Sequence, residues 1–198
     1  MIRDFEVADL ITLANGFSGM SAVLLAMRYV AGGERAALWV AFGLLPLAFV
    51  FDSLDGWVAR RLGRSSILGQ ELDSLADLVS FGVAPATLAF ALGMDGGWDG
   101  AVLVYFVGCG IGRLARFNTT AAALAGPQGK VSHFEGTPIP SSLVLVVLLA
   151  FLFSTGRVGD SLPLGSHLVG PWHLHPLVLL WALSGSAMIS KTLRIPKP

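Results

Sequence analysis

Asp52, Asp55, Asp73 and Asp77 lie in one stretch, FDSLDGWVARRLGRSSILGQELDSLAD, with apolar sequence on both sides. The first two are three residues apart and the last two are four apart, so each pair shares one face of a helix. Acids in or beside apolar helices are costly and mark function. A hairpin through residues 63–69 brings both pairs to the same end of a bundle. Four carboxylates gathered there repel one another and need compensating cations. Oxygen-rich, sulfur-free ligation suits Mg²⁺ or Mn²⁺. Divalent ions held by acids serve phosphoryl transfer, where they neutralise developing charge. Asp52, Asp55, Asp73 and Asp77 are expected around one or two such ions. Gly56, Ala59 and Gly69 leave room for a phosphate ligand beside the backbone, and Arg60 supplies a charge-assisted donor. The competing reading pairs the acids with Arg60, Arg61 and Arg64 at a membrane surface. It leaves the small residues between them without a purpose.

The elements that position these acids follow from composition. The chain has 198 residues, of which 54% are hydrophobic and 13% charged, with 24 glycines and a mean hydropathy of +0.72. Soluble domains carry about 25% charged residues. A soluble domain of this size cannot hide so much apolar surface, and a disordered chain would carry more charge. An all-α, polytopic membrane protein remains. Six apolar stretches, at 10–30, 36–56, 73–93, 98–117, 138–155 and 171–190, predict six spans, the last two being the cleanest by composition. Short Gly/Pro turns join them, and no linker or repeat divides the chain, so residues 1–198 form one domain. Acids within MIRDFEVADL argue against a cleaved leader, so the first apolar helix is expected to be kept.

Six spans put both termini on one side. Arg3, Arg60, Arg61, Arg64, Arg113, Arg116, Lys130, Lys191, Arg194 and Lys197 fall there, against Arg28, Arg35 and Arg157 on the other. That bias places both termini and the acids on the cytosolic face of the cell membrane. The opposite connections look thin and empty of chemistry, with His167, His173 and His175 as interfacial histidines. Zero net charge provides no field for nucleic acid. The single Cys109 permits no internal disulfide and no cysteine zinc site.

The pattern Asp52-x2-Asp55-Gly56-x2-Ala59-Arg60-x8-Gly69-x3-Asp73-x3-Asp77 is similar, position for position, to the signature of the CDP-alcohol phosphatidyltransferases. The resemblance implies a six-helix membrane fold, a homodimer and a divalent-metal site built from these acids. It also implies transfer of a phosphatidyl group from a CDP-lipid to an alcohol, releasing CMP. Thr12-Leu13-Ala14-Asn15 with Gly19 resembles the family's nucleotide-side stretch, which makes Thr12 and Asn15 expected CDP-lipid contacts beside Gly56, Ala59, Arg60 and Gly69. Residues 75–85 (LADLVSFGVAP), 113–118 (RLARFN) and 134–140 (FEGTPIP) look like the bacterial and archaeal phosphatidylserine synthases of this family. The partners so implied are CDP-diacylglycerol, L-serine and the lipid bilayer. The family's last Asp is its general base, and that role falls on Asp77.

Serine carries a carboxylate, which an Arg fork fits. Arg113 and Arg116, three apart at the end of the fourth span, are the expected acceptor ligands, with Asn118 for the ammonium or a helix end. The same chemistry with glycerol 3-phosphate, with inositol phosphate or on an archaeal ether CDP-lipid is a near alternative. A small transporter is the alternative from a different class, although its charges would line a path near the bilayer midplane. The H-x-K-x4-D arrangement of phospholipase-D-type synthases is absent.

Overall fold

The computed structural model describes residues 7–62, 67–124, 133–192 and 194–196. Arg3, Arg64, Lys130 and Lys197, counted toward the charge bias, lie outside the described residues, as does the 63–66 part of the hairpin connection. Helix α1 (Val7–Gly32) and helix α2 (Arg35–Leu62) are joined by a tight link. Gly33 turns the chain there with φ +69°, and its N–H bonds Tyr29 O at 2.7 Å. Helix α3 (Ile67–Asp77) runs through a wider π-helical turn (Leu78–Val83) into α4 (Ala84–Ala91). Helix α5 (Gly97–Leu124) follows, then α6 (Leu143–Ser154) and α7 (Leu179–Ile189). Short strands make two antiparallel ribbons: β1 (His133–Glu135) with β4 (Arg194–Pro196), and β2 (His167–Val169) with β3 (Trp172–Leu174).

Four apolar stretches are long enough to cross a bilayer: Ala8–Gly32, Arg35–Arg61, Ile67–Ala91 and Gly97–Thr119. The chain is an all-α integral membrane protein. The two segments that looked cleanest by composition form the shorter apolar helices, Ile139–Ser154 and Pro176–Ile189, each under 18 residues. Prolines at 138, 140 and 176 hold back their helical starts, because a proline disfavours the helical conformation in the residue before it, as at the extended His175. The third span begins at Ile67 rather than at residue 73. Hydropathy discounts Glu71 and Asp73, but a helix satisfies its own backbone whatever its side chains carry.

The π-turn has a local cause. Pro85 has no N–H for Phe81 O, and its ring would press on that carbonyl in a regular α-helix. The chain widens instead, and Ala84 N–H bonds Val79 O, five residues back. Between helices in a bilayer there is little hydrophobic drive, so close contact matters more. Ala22 and Ala26 on α1 and Ala41 and Ala48 on α2 are fully buried. A Cβ on Gly19 would stand 2.4 Å from Ser80 Oγ and 2.6 Å from Ser80 Cα, so α1 lies directly against the π-turn.

The end of the bundle opposite the carboxylates is more built than expected. His175 is buried rather than interfacial. Its Nδ1 lies 2.6 Å from Asp99 Oδ2, and its backbone N–H donates to Asp99 Oδ1 at 2.8 Å. Gly96 N–H donates to the same carboxylate at 3.1 Å.

Candidate active site

Three helices converge on the carboxylates. On α1, Asp9, Thr12 and Asn15 recur every three residues and so share a face, and all three are buried. Thr12 Oγ1 donates to Asp55 Oδ2 at 2.5 Å. Asn15 Nδ2 donates to Asp77 Oδ1 at 3.1 Å, and Ser80 Oγ donates to Asn15 O at 2.9 Å. The first helix thus fixes one acid of α2 and one of α3. The π-turn in return fixes the helix that carries Asn15.

One carboxylate oxygen from each of Asp52, Asp55 and Asp73 lies within 4.8 Å of the others. Oxygens around an octahedral Mg²⁺ at about 2.1 Å lie up to about 4.2 Å apart, so only a small contraction separates this set from a coordination shell. Asp73 Oδ1 is buried with no hydrogen-bond partner, and so is Asn15 Oδ1. Buried acceptors seldom go unpaired. Three adjacent acids with such an oxygen fit a divalent cation. Asp77 stands outside this trio, beside Asp52 and Asp73. A fifth acid, Asp9, lies close enough to Asp55 to repel it electrostatically. The three-residue spacing of Asp9, Thr12 and Asn15 was the available signal for it.

The residues expected to frame a CDP-lipid sit around this trio. Gly56 and Ala59 are half-buried on α2, and Gly69 lies one turn before Asp73 on α3. A Cβ on Gly56 would meet Arg60 Nη1 at 3.4 Å. The exposed Arg60 therefore folds back over Gly56, and the space made by that glycine receives its guanidinium.

The expected acceptor residues do not form one fork. Arg113 is half-buried and faces Asp77, Asp73 and Asp52 electrostatically. Its guanidinium carbon lies 5.7 Å from the Phe117 ring centroid. Arg116 turns to the end of α7 instead. Its Nη1 donates to Ile189 O at 3.1 Å and its Nη2 to Met188 O at 3.5 Å. Thr137 N–H takes the preceding carbonyl, Ala187 O, at 3.2 Å. Asn118 Nδ2 donates to Glu71 Oε2 at 3.2 Å, and its Oδ1 accepts from Ser74 Oγ at 3.1 Å. These bonds tie α5 to α3 within two residues of Asp73. Residue spacing showed that Arg113 and Arg116 lie near each other on a helix, but not which neighbour each would meet.

The family model for CDP-alcohol phosphatidyltransferase matches residues 5–185. The CDP-diacylglycerol–serine O-phosphatidyltransferase of Saccharomyces cerevisiae is 45% identical over all of this chain and 73% of its own length. The archaetidylserine synthase of Methanothermobacter thermautotrophicus is 38% identical over 75% of this chain and 58% of its own length. The CDP-diacylglycerol–serine O-phosphatidyltransferase of Bacillus subtilis is 32% identical over 73% of this chain and 75% of its own length. The matched region takes in α1 through most of α7, and it holds every helix that contributes to the carboxylate cluster. By that match, the chain belongs to the CDP-alcohol phosphatidyltransferase family.

Proposed function

We propose that this chain transfers the phosphatidyl group of CDP-diacylglycerol to the hydroxyl of L-serine and releases CMP. The observation that carries the reading is the carboxylate cluster, three acids in ligating distance with Asp77 beside them. The relatives' names supply the substrates. Asp52, Asp55 and Asp73 would hold Mg²⁺ or Mn²⁺, with Asp77 sharing a second ion. Such an ion, when bound, neutralises pyrophosphate charge and the charge that develops on the departing CMP.

The chain's own residues do the rest. Asp77 takes the proton of the serine hydroxyl, and the Asn15 amide on its Oδ1 fixes the carboxyl group. The serine oxygen bonds to the lipid-side phosphorus while the bond from that phosphorus to the bridging oxygen breaks. CMP leaves with that electron pair. Thr12 holds Asp55 in place, and Thr12 and Asn15 form the nucleotide side with Gly56, Ala59, Arg60 and Gly69. Arg113 reads the serine carboxylate. Arg116 joins it directly only by releasing the α7 carbonyls, and otherwise acts through α7. Asn118 braces the acceptor side from α5. The whole chain acts as one domain in the cell membrane, as a homodimer, with the acids and both termini facing the cytosol.

CMP release by the purified protein in detergent tests this, with CDP-diacylglycerol, Mg²⁺ or Mn²⁺, and each acceptor added separately. Release that requires L-serine and stops with EDTA is the expected result. Release with a phosphorylated acceptor would keep the acid cluster and remove the serine assignment. No release from folded protein would overturn the enzymatic reading.

A further inference from the structure

On the side of the bundle opposite the carboxylates, the β2–β3 ribbon and the turn before it present apolar side chains outward. Leu164 is 71% exposed, Leu168 68% and Trp172 49%, and Val169 is exposed beside them. From Leu162 to Leu174 the sequence LPLGSHLVGPWHL contains no Asp, Glu, Lys or Arg. Leu164 also holds φ +72°. A bulky side chain in that region costs about 1–2 kcal/mol, and here the strained residue points an isobutyl group away from the protein. Two-stranded ribbons are marginal in water. An uncharged one with such exposure needs an apolar neighbour.

The ribbon is fixed in place. Trp98 Nε1 donates to Val169 O at 2.8 Å, and the Trp98 and Trp172 rings meet edge to face at 5.2 Å. A Cβ on Gly97 would stand 2.5 Å from the Trp172 ring, and one on Gly96 would stand 2.2 Å from His173 O. Asp99 ties down His175 at the ribbon's end, and Gly159 N–H bonds Leu92 O at 2.8 Å. These attachments are at the end of α4 and the start of α5, where the third and fourth spans leave a bilayer. Just beyond them, α5 exposes Val104 and Tyr105, and α7 exposes Leu179 and Leu183. The ribbon's apolar residues continue that lipid-facing surface, and Trp is a residue type suited to the interfacial layer.

We propose that the 162–174 segment rests in the interfacial layer of the bilayer opposite the carboxylate end, with Leu164, Leu168, Val169, Trp98 and Trp172 against lipid. It is a rigid foot that sets the depth of α5 and α7. The inference rests on the membrane-spanning fold and is independent of the acceptor.

The test places a nitroxide on Leu168→Cys in a Cys109→Ala background, using the full chain in phospholipid nanodiscs. Asp95→Cys, in an exposed turn, is the reference. Power saturation compares collisions with oxygen and with a water-soluble nickel chelate. The expected result is oxygen-dominated relaxation at position 168 and nickel-dominated relaxation at position 95. Equal nickel access at the two positions would overturn the proposal. Exclusion of both reagents at position 168 would overturn it too, since it would show a protein surface or a second copy covering the ribbon. As a second measurement, brominated lipid should quench intrinsic fluorescence less in Trp172→Phe than in the unaltered chain. An unchanged quench would also count against lipid contact.

Discussion

At the scale of single residues, the proposed reaction divides between Asp77 and Arg113. Asp77, the proposed base, accepts a hydrogen bond from Asn15 and shares one with Asp52. Asp77→Asn should therefore lower kcat by about 10²–10⁴, the usual contribution of a positioned acid or base, while CDP-diacylglycerol binding and the thermal midpoint hold. Turnover near the unaltered rate would remove Asp77 as the base. Arg113 faces the acids, whereas Arg116 holds backbone carbonyls. Arg113→Ala should raise the serine KM by about 10–100-fold, the loss expected for a charged hydrogen bond worth about 1.5–3 kcal/mol. The CDP-diacylglycerol KM should change far less. Arg116→Lys keeps a donor for the α7 carbonyls and should leave serine KM within a few-fold. A serine KM shift in Arg116→Lys as large as that in Arg113→Ala would return Arg116 to direct contact with the acceptor.

The π-turn is the element that brings the acids and α1 into register. It places Ser80 against Asn15 O, and Asn15 in turn holds Asp77. π-turns recur at functional sites, and here Pro85 supplies the steric reason for one. Pro85→Ala restores the missing N–H and lets the helix tighten. Its kcat should fall with little loss in thermal midpoint, because the site loses register while the helix gains a bond. Full activity in that variant would show that the turn is incidental to the site. Gly19→Val tests the same contact from α1. Its added Cβ meets Ser80 backbone, so it should destabilise the fold by about 1–3 kcal/mol, as overpacked sites do. Thermal unfolding in detergent measures that loss.

Over the whole molecule, the two proposals give the ends of the bundle separate duties. Asp99 and Arg113 stand on the same helix about 21 Å apart, at 1.5 Å per residue. Asp99→Ala removes three hydrogen bonds beneath the ribbon and leaves His175 buried without its partner. It should cost about 3 kcal/mol or more in stability, seen as a lower thermal midpoint, with serine KM unchanged in the protein that stays folded. A shifted serine KM would mean that the ends are coupled. Much of this architecture was legible in sequence. Apolar length located the membrane class and the helices, because lipid leaves backbone groups no partner but their own helix. The spacing of Asp52, Asp55, Asp73 and Asp77 pointed to a shared site, since three- and four-residue intervals fix a helix face regardless of neighbours. Hydropathy misplaced the start of the third span and overran the helical part of the last two segments, because it counts side chains and takes no account of how proline restricts the residue before it. The partners of Arg113, Arg116 and Asn118 were beyond reach of the sequence for a different reason. Each side chain can turn toward several helices, and only packing decides which carbonyl or carboxylate stands within its reach. The same holds for Asp9 joining the acids and for Leu164 and Leu168 facing outward. What a helix presents follows from its own residues, whereas what it meets depends on every other helix in the bundle.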